Sequence, residues 1–245
     1  MDNSRILHYE SNKWQKSNNL YFEYMDKLTD MINRKYISDE IPKEIVTNFG
    51  AYGGDANIAH MLYKYELYKR VLYLNGNIGE IGIYKGKSFL YWAKLVKLFE
   101  PYNLTQVYGF DWFEGMKPKE NDDVNQQGKY IGSYEELLKL VEWQGLEDIA
   151  LVFNINVITD SVKFIQTRPY LRFKILYIDC GIKEVMEAAF KAFYPRLVSG
   201  GILMMDHYNY AVSPTESDIA EKYIGKNIIH QMPFGRQPTG YIIKE

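Results

Sequence analysis

One short segment, Glu80-Ile-Gly82-Ile-Tyr84-Lys-Gly86, constrains the fold of this chain more than any other, because of its flanks. Ahead of it, residues 78–83 alternate apolar with small or polar side chains, the pattern of a short buried strand. Behind it, Phe89, Leu90, Trp92, Ala93, Leu95, Val96 and Phe99 recur at helical spacing over 87–99. A strand that enters a helix through a glycine-bearing turn brings backbone amides of the helix N-terminus close to a ligand. A second strand, over 106–111, ends on Asp111. That places a carboxylate at the carboxyl end of the neighbouring strand, where it accepts hydrogen bonds from a ribose diol. Turn and acid together predict a nucleoside-containing cofactor.

The glycine spacing narrows the choice. Dinucleotide sites read G-x-G-x-x-G and admit a pyrophosphate. Here the pattern is E-x-G-x-x-x-G, with Glu80 in place of the first glycine. A carboxylate there opposes a pyrophosphate and suits the cationic end of S-adenosylmethionine (SAM). Four segments carry the pattern further: Gly79-Glu-Ile-Gly-Ile-Tyr-Lys-Gly-Lys-Ser88, Val107-Tyr-Gly-Phe-Asp-Trp-Phe-Glu-Gly115, Leu176-Tyr-Ile-Asp179 and Leu197-Val-Ser-Gly-Gly-Ile-Leu-Met-Met-Asp-His207. In these segments, and in their order, the chain resembles the class I SAM-dependent methyltransferases. Among those it is similar to the macrocin O-methyltransferase family, which methylates sugar hydroxyls.

The resemblance implies roles. Backbone from Gly82 through Tyr84 to Gly86 lines the amino-acid end of SAM, with Glu80 near the amino group or supporting the loop. Asp111 binds the ribose and Trp112 lies beside the adenosine. Asn156 and Asp160, just after the third strand, border the adenine. Ser88 caps the following helix or reaches the SAM carboxylate, with the cap favoured. In related sugar methyltransferases an Asp and an Asp-Asp pair at two strand ends bind Mg2+ and orient the substrate hydroxyl. This chain matches at Asp179 and Asp206 and departs at His207.

That departure leaves three readings open. Mg2+ prefers oxygen ligands, so an imidazole favours a softer ion such as Mn2+ held by Asp179, Asp206 and His207. Alternatively the two acids hold the ion, or Asp179 also contacts SAM, and His207 accepts the substrate proton. In the third reading there is no metal and His207 is the base. His8, His60 and His230 fall outside the strand-end cluster and are read as structural or surface residues.

Alternating strand and helix patterns predict an α/β, doubly wound, mostly parallel seven-stranded Rossmann-like sheet over 76–245. A helical region over 1–75 precedes it and belongs to the same domain. Predicted strands are 78–84, 106–111, 149–155, 173–179, 201–206, 227–232 and 239–244, with helices at 87–99, 133–144, 160–167, 183–194 and 214–224. The polar stretch 116–132 is expected to act as a mobile lid. Tyr208, Asn209, Tyr210 and Arg236 are candidate acceptor-pocket residues.

Composition excludes several classes. With 29 Lys plus Arg against 31 Asp plus Glu, no net field attracts nucleic acid or a membrane surface. A single cysteine, Cys180, allows no intrachain disulfide and fits a reducing cytoplasm. Residues 1–20 are polar, unlike a signal peptide. The expected partner is a sugar-containing small molecule, and a homodimer is the one assembly considered. Alternatives are N-methylation, methylation of another hydroxyl such as a catechol, or SAM binding without turnover.

Overall fold

Parallel strands covered on both faces read as nearly unbroken apolar runs, and Phe173-Lys-Ile-Leu-Tyr-Ile178 and Gly201-Ile-Leu-Met-Met205 are such runs. The computed structural model describes residues 12–35, 41–119, 122–208, 215–225, 229–234 and 240–245. Its sheet contains β1 (Asn77–Ile81), β2 (Val107–Asp111), β3 (Ala150–Asn154), β4 (Phe173–Ile178), β5 (Leu197–Met205) and β6 (Gly240–Ile243). The order is β3-β2-β1-β4-β5-β6, with β6 antiparallel and every other neighbour parallel. Strand order reverses between β1 and β4, and a crevice for ligands opens there at the carboxyl ends.

Helices cover both faces. Before β1 come α1 (Asn12–Lys35), α2 (Ile41–Thr47), α3 (Phe49–Tyr52) and α4 (Asp55–Arg70). The crossovers are α5 (Lys87–Phe99), α6 (Tyr134–Trp143), α7 (Val157–Gln166) and α8 (Lys183–Ala192), and α9 (Thr215–Ile224) precedes β6. On one face Tyr63, Leu67, Phe89, Trp92 and Leu137 pack on Ile78, Ile175, Tyr177 and Ile202. On the other, Phe164, Phe190 and Ile219 pack on Ile81, Phe110, Leu176 and Leu203. Each large apolar side chain buried this way contributes about 1.5–3 kcal/mol, so two cores hold three layers together.

At the amino end of β4 one polar network is sealed inside. Lys174 is fully buried and its Nζ donates to both Glu100 oxygens at 2.7 Å. Glu100 also accepts from Tyr68 Oη at 2.6 Å, Thr105 Oγ1 at 2.7 Å and Asn103 Nδ2 at 3.1 Å. Burial pushes the Glu100 carboxyl up, and these donors outweigh it and hold it below its usual range.

Several expectations need correction. The described residues form six strands, not seven. Of the segment expected as a strand over 227–232, residues 227 and 228 lie outside the described residues. His230 makes only an isolated antiparallel bridge to Tyr241, with N–H···O distances of 2.8 and 2.9 Å. The first strand stops at Ile81 because Gly82 turns into left-handed backbone, φ +86°. The helix expected from 160 starts at Val157, because the Asn156 side chain caps it by accepting from Ile158 N at 3.0 Å. The loop 116–132, expected as a mobile lid, makes hydrogen bonds in its described part. Met116 N–H donates to Lys129 O at 2.8 Å, and Asp122 Oδ1 accepts from Lys183 N at 2.9 Å. Asn209, Tyr210 and Arg236 lie outside the described residues.

Candidate active site

Period two along a strand decides which side chains share a face. Glu80 on β1 stands in register with Tyr177 on β4, and Tyr177 with Met204 on β5. The last register row is Ile81, Ile178 and Met205. One residue further, Asp179 N–H donates to Ile81 O at 2.9 Å and Asp206 N–H to Ile178 O at 3.2 Å. Gly82, Asp179 and Asp206 therefore lie side by side at the switch in strand order. Glu80, Tyr177, Asp179 and Asp206 all fall on the face covered by α4 and α5.

The glycine turn is built into this row. A Cβ on Gly82 would stand 2.0 Å from the Asp179 carbonyl oxygen, so only glycine fits between the turn and the acid's backbone. Tyr84 adopts left-handed backbone, φ +48°, a strained conformation for a tyrosine. Asp111 secures it: Oδ2 accepts from Tyr84 N and Oδ1 from Phe113 N, both at 2.8 Å. Burial raises the Asp111 pKa against the lowering effect of these amides. The Tyr84 ring meets Tyr130 edge-on, and Trp112 is half-buried under Lys117 Nζ, 4.2 Å from its ring centroid. Asn156 and Asp160 both secure the N-terminus of α7, Asp160 Oδ2 accepting from Asn156 N at 3.0 Å. Ser88 does not cap α5. Gly86 takes the N-cap position, and the buried Ser88 turns its Oγ to His60 Nε2, 3.3 Å away.

Asp179, Asp206 and His207 bring potential ligand atoms within 4.8 Å of one another. The Tyr177 hydroxyl contacts Asp206 Oδ1 and lies 3.2 Å from Asp179 Oδ2. His207 N–H donates to Glu216 Oε2 at 2.7 Å. Its ring Nδ1 sits between carboxylates, 3.5 Å from Asp206 Oδ2 and 3.6 Å from Glu216 Oε1. Burial and the neighbouring Asp206 charge raise the Asp179 pKa. Burial also pushes Asp206 up, but His207, His60 and Lys64 outweigh it and hold Asp206 low. Burial alone would depress His207, whereas Asp206 and Glu216 raise it to about 10. These charges favour the imidazolium through the neutral range, and a divalent ion at the cluster would bind with release of that proton.

Lys64, His60, Tyr177 and Glu216 complete this cluster and were not read from sequence. Lys64 is fully buried on α4, touches His60 Nε2 and lies 4.5 Å from the Tyr177 ring centroid. The pattern Met61-Leu62, Tyr65, Tyr68 and Val71-Leu72 points to one apolar face of this helix, and of these Tyr68 and Val71 are buried. Tyr63, Lys64 and Leu67 are buried with them, whereas Leu62 is 48% exposed. The available signal was His60 and Lys64 at i, i+4, in line with Leu67 and Tyr68.

A family model for this region, described as a methyltransferase domain, matches residues 80–208, more than half of the chain. The chain belongs to that methyltransferase family. No curated protein sequence matches it. Among solved structures the methyltransferase is similar to CalS11, a calicheamicin methyltransferase, with a TM-score of 0.80 at 22% identity over 99% of this chain and 96% of that one. An apo structure of CalS11, described as a TDP-rhamnose 3'-O-methyltransferase, gives 0.72 at 22% identity over 96% and 95%. The O-methyltransferase NovP gives 0.65 at 18% identity over 76% and 80%. These likenesses establish a shared SAM-dependent methyltransferase fold. No described helix is long and apolar enough to cross a membrane.

The methyltransferase's own residues fit both groups the family implies. The Asp111 carboxylate, held by the Tyr84 and Phe113 amides, supplies the acceptor oxygens that a ribose diol requires. Two carboxylates and an imidazole within 4.8 Å form a donor set for a divalent ion, and the imidazole tilts it from Mg2+ toward Mn2+.

His207 also gives a pH test. Its folded pKa lies above the unfolded value of about 6.5. Its stabilising contribution is therefore complete below that value and is lost as pH rises toward about 10. The gap in urea midpoint between wild type and His207→Gln should be widest near neutrality and should close at alkaline pH. A gap that widens with pH would contradict the imidazolium assignment.

Proposed function

We propose that this methyltransferase moves the methyl group of SAM to a hydroxyl oxygen of a sugar or glycosylated small molecule. The observation that carries the reading is the pair of half-buried Asp179 and buried Asp206 at adjacent strand ends, beside the Gly82 turn. SAM brings a methyl group that is already activated. The protein must align a hydroxyl with it and take the hydroxyl proton, and alignment alone contributes several kcal/mol. Asp179 is the proton acceptor, since it is the acid of the pair whose charged form is least stabilised. Asp206 is fixed by Tyr177 on one side and His207 on the other, and orients the hydroxyl. A divalent ion held by Asp179, Asp206 and His207 would act as a Lewis acid toward that oxygen. The sugar reading is supported by likeness to CalS11, described as a TDP-rhamnose 3'-O-methyltransferase.

Two experiments test this reading. Calorimetry with S-adenosylhomocysteine should show Asp111→Ala weakened at least about tenfold, as for a lost charge-assisted hydrogen-bond pair. Unchanged affinity in a folded variant would remove Asp111 from the ribose site. A panel of sugar, catechol and amine acceptors, scored by S-adenosylhomocysteine formed, tests the acceptor class. Turnover confined to catechols or amines would refute the sugar assignment.

A further inference from the structure

A cavity of about 360 Å3 lies between α3, α4 and the start of α5. Phe49, Asn57, His60, Lys64, Lys87 and Tyr91 are among its lining residues, and none of the lining residues is an acid. Lys64 is fully buried, and an ammonium offers three donors. Among the described residues it has one hydrogen-bond partner, His60 Nε2, and the face of Tyr177. Asp206, Glu80 and Asp179 balance its charge from the sheet side without a hydrogen bond to it. A buried cation with donors left over is costly unless an oxygen in the cavity accepts them. Lys87, at the exposed rim, donates to Asn57 Oδ1 at 2.8 Å and also has donors to spare. Lys64 lies over the Tyr177 ring, whose hydroxyl meets Asp179 and Asp206, so the cavity adjoins the reacting centre.

Two ammonium groups and an imidazole, with no acid, facing one space between aromatic walls are suited to anionic oxygen. We infer that this cavity receives a phosphoryl group of the acceptor, which makes the acceptor a sugar phosphate or a nucleotide-activated sugar rather than a neutral glycoside. The inference rests on the sugar reading above. The carboxylate of SAM carries the same anionic oxygen chemistry, so the test has an arm for each source.

The first probe is inorganic pyrophosphate, titrated by calorimetry into full-length protein saturated with S-adenosylhomocysteine. Saturable binding is expected, weakened at least about tenfold by Lys87→Met, the loss of a hydrogen bond to a charged group. The exposed control Lys69→Met should bind as wild type does. Turnover with uridine diphosphate glucose or glucose 1-phosphate should exceed that with methyl glucoside by a similar factor, and Lys87→Met should erase the preference. Pyrophosphate that competes with S-adenosylhomocysteine, or a Lys87→Met variant that loses affinity for S-adenosylhomocysteine, would assign the cavity to the SAM carboxylate and overturn the inference. Absence of pyrophosphate binding to protein that still binds S-adenosylhomocysteine overturns it too, with the methyltransferase reading intact. Failure of wild type to bind S-adenosylhomocysteine would instead strike that reading.

Discussion

Replacing Asp179 by Asn is expected to lower turnover by roughly 10²–10⁴-fold, the range for losing a positioned proton acceptor. S-adenosylhomocysteine affinity should stay within about threefold of wild type, well under the tenfold that 1.4 kcal/mol represents. The split follows from geometry. Asp179 touches the Gly82 turn through its carbonyl oxygen, while its carboxylate faces Tyr177 and Asp206. Changing the carboxylate therefore spares the turn. Asn keeps the volume and removes the charge, so the expected loss is in kcat. Stopped assays under saturating SAM, beside calorimetry on the same preparation, would measure both numbers. Wild-type turnover by a folded Asn variant would leave the proton to another group and sink the assignment.

The second large effect concerns stability and lies at the other end of the sheet. Lys174→Met should cost about 3–5 kcal/mol of unfolding free energy, because it strands the Glu100 carboxylate inside the protein. In a chain of this size that corresponds to a fall of roughly 10 °C in Tm. Replacing both partners, Lys174→Met with Glu100→Gln, should recover part of the loss, since no unpaired charge is then buried. Glu100 also gives the loss a pH dependence. Its pKa is depressed in the folded state, so the network's contribution is present above the ordinary glutamate range and fades as pH falls through the depressed value. Denaturant titrations at neutral and acid pH on the single and double variants would separate these effects. A single variant as stable as wild type at neutral pH would contradict the account.

The sheet was legible because its strands obey simple rules. Apolar runs that stop on Asp111, Asp179 and Asp206 mark parallel strands and their carboxyl ends at once, and the Gly82 and Gly86 spacing marks the turn. Ser88 was misjudged because glycine in left-handed backbone replaced the expected side-chain cap. The segment 227–232 is too short for its pattern to separate a strand from an extended loop, and among its described residues His230 forms one bridge. Lys64 and His60 were invisible for a different reason. Lysine counts as solvent-facing in any periodicity argument, and its burial here depends on carboxylates far away in sequence, Glu80, Asp179 and Asp206. Tyr177 was passed over as one more apolar strand residue, although its hydroxyl joins the two acids. Long-range charge compensation leaves no local pattern to read.

The position of Lys64 has a consequence for how such an enzyme can diversify. The helices ahead of β1 look like an exchangeable cassette, a cap that a lineage could replace to acquire a new acceptor while keeping the sheet that serves SAM. Yet α4 carries the cation that faces Glu80, Asp179 and Asp206 from above the sheet. Exchange of that segment alone would leave Glu80, Asp179 and Asp206 short of a positive charge, and a transplanted cap would bring a lysine to a sheet with nothing to meet it. Cap and sheet are therefore matched to each other by charge, and a change in either has to be answered in the other.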